Sequence, residues 1–316
     1  MGRRAGPGRL RAAGHLPGDR GEPATVRRLA CGQGAPVSPF VFTVVLAAAF
    51  LHAGWNALVK QGGDPWLRVA VVMLTGSALA LGPALVLAPP PAAAWPWLVS
   101  SILAHTVYYA TLARGYESGD LSQVYPIARG LAPPLVAVGG TVLAGELLGP
   151  GGMLAIALVA AGIVSLAFAG SRGRRDRRAV TSALLAGTAI AVYTLSDGLG
   201  ARASQTAWHY IAWLFLLEAL PFGLFVLWWR RELLLLGSRR SWLPAVGGGV
   251  MSTLAYALVI WAMSVTPMAY VSAVRETSVV IAAWLGVRLL GEPFGRVRLL
   301  SAGVVTLGVI LLHLAP

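Results

Sequence analysis

Apolar residues fall in long runs along this chain, and polar residues gather in the short gaps between them. A helix that crosses a bilayer needs about 20 apolar residues. Ten stretches reach that length, at approximately 41–60, 66–88, 95–114, 120–141, 150–170, 180–200, 207–229, 242–264, 267–290 and 296–315. The gaps carry turn residues and charge: Gly62-Gly63-Asp64-Pro65, Ala88-Pro89-Pro90-Pro91, the basic run Arg172 to Arg178, and Arg230 to Arg240 flanked by Trp228, Trp229 and Trp242 as interfacial anchors. The pattern predicts an all-α integral membrane protein with ten transmembrane helices.

The pattern also repeats. Laid over each other without a gap, residues 129–166 and 275–312 agree at 11 of 38 positions, among them Arg129/Arg275, Gly140/Gly286, Gly145/Gly291, Glu146/Glu292, Gly149/Gly295 and Gly162/Gly308. Self-similarity at a fixed spacing marks a duplicated architecture. Five crossings per half is an odd number, so the second half enters from the opposite side. Two inverted five-helix repeats follow, with sites expected near the midplane where the repeats meet. The domain reading is a disordered basic tail at 1–40, a first repeat at 41–170, a basic linker at 171–179 and a second repeat at 180–315. Both fourth-to-fifth and ninth-to-tenth hairpins read Gly-Glu-x-x-Gly, consistent with tight turns built on glycine at positive φ.

Composition agrees: the chain is 57% hydrophobic and 12% charged, against about 25% charged in an ordinary soluble domain. Mean hydropathy is +0.71. The net charge of +13 does not imply nucleic acid as a partner, because beyond the tail the arginines fall mostly in loops, where positive charge sets orientation. Loops after odd-numbered segments hold 15 Lys and Arg; the other face holds Arg202 and receives the tail with its seven arginines. The loops favour both termini outside and the tail argues the reverse; the loops are followed here. The tail has no apolar run and reads as disordered or as the product of a misplaced start codon. Its Cys31 is the single cysteine, which excludes internal disulfides and cysteine metal sites. Arginine dominates the basic residues, leaving Lys60 as the one lysine.

Ionisable side chains at the centre of a spanning helix cost about 2.5–3.5 kcal/mol on insertion scales, so each needs a partner, a wet cavity or a role. In the first segment His52 and Asn56 share a face, with Lys60 a turn further and Trp55 beside them. In the third, Ser101, His105 and Tyr109 repeat that spacing. In the fourth, Tyr125-Pro126 precedes Arg129, and a proline before a buried cation predicts a broken helix lining a cavity. Tyr193 and Asp197 lie one turn apart in the sixth segment, with Asp197 the expected partner of an arginine. Glu218 in the seventh is a lone acid, read equally as a proton carrier and as the partner of His209 or Arg275. Tyr256 and Trp261 in the eighth read as packing or ligand contacts. In the ninth, Arg275 and Glu276 point to different sides of a helix and each needs a partner from elsewhere. The candidate substrate-binding set is His52, Trp55, Asn56, His105, Tyr109, Tyr125, Arg129, Tyr193, Asp197, Tyr256 and Arg275; the coupling candidates are Asp197, Glu218 and Glu276. No metal-ligand spacing, nucleotide-binding loop or nucleophile elbow occurs, so neither cofactor nor metal is expected.

At these residues the chain resembles the EamA branch of the drug/metabolite transporter superfamily. The resemblance covers about residues 41–315. It rests on His52-Ala53-Gly54-Trp55-Asn56 with Lys60, Gly119-Asp120-Leu121-Ser122 running into Tyr125-Pro126-Ile127-Ala128-Arg129-Gly130, Tyr193-Thr194-Leu195-Ser196-Asp197-Gly198, and Arg275-Glu276-Thr277-Ser278 followed by Gly291-Glu292. The resemblance implies two fused five-helix repeats that move small molecules through a central cavity by alternating access, often as exporters. The expected protein is therefore not an enzyme but a secondary transporter in a bacterial plasma membrane, a monomer or weak homo-oligomer, whose partners are a small-molecule substrate and the lipid bilayer. Near charge balance among the buried groups favours a zwitterionic or anionic metabolite. The alternative is a membrane-embedded enzyme or flippase for a lipid-linked substrate, with His52, His105 and Asp197 as acid/base candidates.

Overall fold

The computed structural model describes residues 37–59, 64–118, 121–170, 177–232, 239–290 and 296–314. Most of the tail, Cys31, Lys60, Gly119-Asp120, the run 171–176 and Gly291-Glu292 therefore lie outside the described residues, with the expectations attached to them. The described chain is helical: α1 Pro39–Val59, α2 Pro65–Val86, α3 Trp95–Ser118, α4 Leu121–Ala144, α5 Pro150–Gly170, α6 Arg177–Arg202, α7 Ala207–Trp229, α8 Arg239–Val265, α9 Met268–Arg275, α10 Thr277–Leu290 and α11 Arg296–Leu314, with one 3-10 turn at Ala92–Ala94. No strand occurs among these residues. Each apolar stretch read from the sequence corresponds to a helix, the ninth being divided between α9 and α10.

Among the described residues, six helices are long and apolar enough to cross a membrane: α1, α2, α4, α6, α7 and α8. The same measure leaves out α3, where Ser101, His105, Tyr108 and Tyr109 lower the hydropathy, and the divided α9–α10. Apolar stretches shorter than a full span lie within α5 and α11.

Local chemistry sets several boundaries. Asp64 caps α2 by accepting from the Leu67 N–H at 2.9 Å, and Pro65 occupies the first turn, where its missing donor is not needed. Gly145 opens the turn after α4 at φ 65°, a conformation that a side chain disfavours, as the Gly-Glu turn predicts. The break expected at Pro126 is absent, because α4 stays helical through Pro126, Pro133 and Pro134. Proline removes one backbone donor but leaves φ compatible with a helix, and in a membrane bundle neighbouring groups can satisfy the carbonyl it frees. The interruption lies instead at Glu276, whose N–H turns back to the Ala273 carbonyl at 3.1 Å.

Helix neighbours recur reciprocally between the halves. α1 packs on α8 and α3 on α6; α2 packs on α8 and α3 on α7; α4 packs on α6, and α9 and α10 on α1. α2 and α7 pair with each other, as do α5 and α11. The last pair is mirrored at atomic detail. A Cβ on Gly162 would lie 2.9 Å from Val305 Cγ2 and 3.2 Å from the Ser301 carbonyl; one on Gly308 would lie 2.8 Å from Val159 Cγ2 and 2.9 Å from the Ala155 carbonyl. Val159/Val305 and Ala155/Ser301 are aligned positions of the internal repeat, so both halves use the same small residue to bring two backbones together.

Candidate functional site

Polar side chains from α1, α3, α4, α6, α7, α8 and the α9–α10 break converge inside the apolar bundle. Arg129 on α4 is fully buried, and so is Glu276 at the break; Arg129 Nε lies 2.9 Å from Glu276 Oε2. The approach is close but not aligned as a hydrogen bond, since both atoms lack a hydrogen-bond partner by geometry. Arg129 Nη2 donates to Ser278 Oγ at 3.2 Å, and the guanidinium sits 5.9 Å from the Tyr125 ring centroid. The break puts Glu276 on Arg129, so the two copies of the duplicated pattern meet at an ion pair. Sequence reading assigned an arginine to Asp197 instead. On α6, Asp197 is fully buried and accepts from Tyr210 Oη at 3.0 Å and, through its other oxygen, from Tyr256 Oη. Two hydroxyl donors take the place of the expected cation; Tyr210 was missed because nothing in its local spacing points toward α6.

Arg275 is 2% exposed. Its Cζ lies 6.0 Å from the Tyr256 ring centroid, and its Nε and Nη2 have no hydrogen-bond acceptor among the described residues. No carboxylate among the described residues lies within ion-pair distance of it.

His105 on α3 is buried against aromatic rings. It stacks on Tyr193 at 4.0 Å and more loosely on Tyr109 at 5.8 Å, with Tyr256 edge-on at 5.5 Å. Its Nδ1 lies 3.0 Å from the Ser101 carbonyl, which accepts from a protonated Nδ1, and 3.1 Å from Ser101 Oγ, a hydroxyl that can take either role. Glu218 Oε2 is 3.8 Å from that nitrogen, beyond hydrogen-bond range, and has no other partner. Of the partners the sequence offered Glu218, His209 lies elsewhere, with Nδ1 2.9 Å from Thr206 Oγ1 at an exposed position. Glu218 instead faces a small cavity lined by Tyr109, Ser252, Thr253 and Tyr256 with Val72, Met73, Gly76 and Phe215, with room for little more than a water.

On α1, Trp55 Nε1 donates to His52 Nδ1 at 3.1 Å, which places the imidazole hydrogen on Nε2, 3.5 Å from Tyr125 Oη. Asn56 is buried and donates to the His52 carbonyl at 2.8 Å, so half of the expected polar ladder is satisfied within its own helix. Trp261 packs edge-on against Phe40 at 5.9 Å. Among the described residues no group of three or more His, Cys, Asp or Glu could hold a metal.

A second polar knot escaped the sequence reading. Glu146, in the turn after α4, accepts from the Met268 N–H at 3.1 and 2.9 Å through its two oxygens and pairs with Arg202 Nη2 at 2.6 Å. Arg202 also donates to the Met263 and Thr266 carbonyls, both at 2.9 Å. One carboxylate thus caps α9 and ties the α4–α5 turn to the ends of α6 and α8. Its sequence signal was the repeated Gly-Glu, which reads as a turn and says nothing of the partner.

Among known proteins, a solved structure 18% identical to this chain superposes with a TM-score of 0.67, covering 87% of this chain and 96% of that one. At that identity the likeness shows a shared fold alone. No curated protein matches. Residues 177–314 match the EamA-like transporter family. That match spans α6 to α11, the second half of a chain whose apolar helices mark it as a multi-pass membrane protein.

Proposed function

We propose that the chain is a secondary transporter in which residues 41–170 and 180–315 form two inverted five-helix repeats, ten spanning segments in all. It moves a small zwitterionic or anionic metabolite across the plasma membrane by alternating access, as an exporter. The observation that carries this reading is the Arg129–Glu276 pair, a charge pair with no exposed surface that joins the two copies where transporter repeats place their sites. The mirrored α5–α11 crossing supports the two-fold relation. His52, Trp55, Asn56, His105, Tyr109, Tyr125, Tyr193, Asp197, Tyr256 and Arg275 form the surrounding substrate site, and Asp197 and Glu218 are the groups that couple transport to protons. Glu276, already held against Arg129, is less suited to exchange a proton.

Reconstitution into proteoliposomes tests the reading with a panel of labelled amino acids and small carboxylic and phosphorylated acids. Transport requires that a solute cross the membrane chemically unchanged and that unlabelled solute on the far side accelerate its counterflow. A product of altered composition would instead identify the chain as a membrane-embedded enzyme.

A further inference from the structure

The duplication supplies two arginines, but among the described residues only one of them receives an acid. Position 276 aligns with Gly130 and position 278 with Ala132, so the first half lacks both the carboxylate and the hydroxyl that the second half gives to Arg129. The backbone differs accordingly. The helix breaks at Glu276 and brings that side chain to Arg129. Around Gly130 α4 is unbroken, and a Cβ there would lie 2.6 Å from Val164 Cγ2 and 3.0 Å from the Ala160 carbonyl, so this position is closed against α5. Arg275 is left with two guanidinium nitrogens that no acceptor among the described residues meets. A guanidinium cannot escape burial by losing its proton, so a charge held this way needs an anion from elsewhere.

We propose that Arg275 binds the oxyanion group of the transported metabolite, a carboxylate or phosphate, which occupies the role toward Arg275 that Glu276 fills toward Arg129. Arg129 belongs to the scaffold of the site and Arg275 to its ligand contacts. The Tyr256 ring 6.0 Å from Arg275 Cζ forms one wall of the contact. Its hydroxyl is held by Asp197, so the ring is positioned before the anion arrives. Two parallel N–H donors match the two oxygens of a carboxylate or phosphate in a way that an ammonium does not. This assignment deepens the transporter reading and rests on it.

The test uses the full chain in lipid nanodiscs, with thermal unfolding followed by tryptophan fluorescence. The probes are acetate, inorganic phosphate, acetamide and chloride at matched ionic strength. The expected result is a concentration-dependent rise in the unfolding midpoint with acetate or phosphate and none with acetamide or chloride; which oxyanion acts identifies the source. Arg275→Gln should abolish the rise, and Arg275→Lys should weaken apparent affinity at least tenfold while the protein elutes as a single folded species. If Arg275→Gln does not fold, the lysine variant and the wild-type comparison decide. Equal stabilisation of wild type by acetate and acetamide overturns the proposal, as does an oxyanion effect of unchanged affinity in Arg275→Lys. A step of the stabilising oxyanion over proteoliposomes on a solid support separates the two readings. Flux that persists unchanged in Arg275→Gln rejects the arginine assignment and leaves transport standing. Specific stabilisation without flux of any probe rejects transport and leaves the anion site standing.

Discussion

Removing Glu276 should be among the most damaging single changes in this protein. Arg129 and Glu276 are both 0% exposed at 2.9 Å, so Glu276→Gln leaves a permanent cation in the apolar interior. What remains to Arg129 is the Ser278 hydroxyl at 3.2 Å and the Tyr125 ring at 5.9 Å, both already present in wild type and so no new compensation. Breaking a buried pair from one side costs about 3–5 kcal/mol. Gln keeps the size and one acceptor oxygen, which points to the lower end, about 3 kcal/mol. Arg129→Gln should cost less, because an orphaned carboxyl can take up a proton and remain buried neutral whereas a guanidinium cannot give one up. Replacing both residues, as Arg129→Met with Glu276→Leu, removes both desolvation penalties and should be milder than the sum of the singles by about 2 kcal/mol or more. Equilibrium unfolding of the four proteins in mixed detergent micelles measures the cycle. A Glu276→Gln cost below about 1 kcal/mol, or additive single and double variants, would refute the pairing as an energetic unit.

Other consequences can be checked on the same preparations. Gly162→Ala and Gly308→Ala each drive a Cβ toward backbone atoms of the facing helix and should each destabilise by about 1–3 kcal/mol; a clear inequality between them would show that the crossing is not two-fold in its energetics. Glu146→Ala removes the acceptor for the Met268 N–H and the partner of Arg202 and should cost about 1.5–3 kcal/mol, with Glu146→Gln roughly half of that, read from the same unfolding curves. Glu218→Gln and Asp197→Asn should lose gradient-driven uptake while keeping counterflow; unchanged gradient-driven uptake in both removes these acids from coupling. A reporter fused after Pro316 should be extracytoplasmic. Arg202, the one basic residue in the loops of the opposite face, is held by Glu146 and two carbonyls, so its position answers to packing. Cytoplasmic reporter activity would show that the arginine-rich tail governs orientation instead.

The helices were legible because their signal is local: a run of about 20 apolar residues bounded by glycine, proline and arginine reports on nothing but itself. Most of the buried ionisable residues were legible for the same reason, since such a group in an apolar run is conspicuous wherever its helix ends up, although Arg68 in α2 and the Glu146–Arg202 pair were not singled out. Partner choice was not legible. Helical spacing shows that His52 shares a face with Asn56 and Ser101 with His105, but not which neighbour that face meets. Asp197 thus took tyrosines from α7 and α8, and Glu218 came to lie by His105. The misplaced break has a sharper lesson. Proline at 126 is a visible helix breaker that the bundle tolerates, whereas nothing in Arg275-Glu276-Thr277 disfavours a helix as strongly. What interrupts the chain there is tertiary: Glu276 reaches Arg129 from an interrupted turn, in a place where an unpaired buried guanidinium would cost several kcal/mol, more than the one or two backbone hydrogen bonds the interruption gives up, each worth about 0.5–1.5 kcal/mol net. The internal alignment already contained the clue, because it set Glu276 against Gly130. An acid present in one copy and missing from the other marks the position where two otherwise matched halves have different work to do.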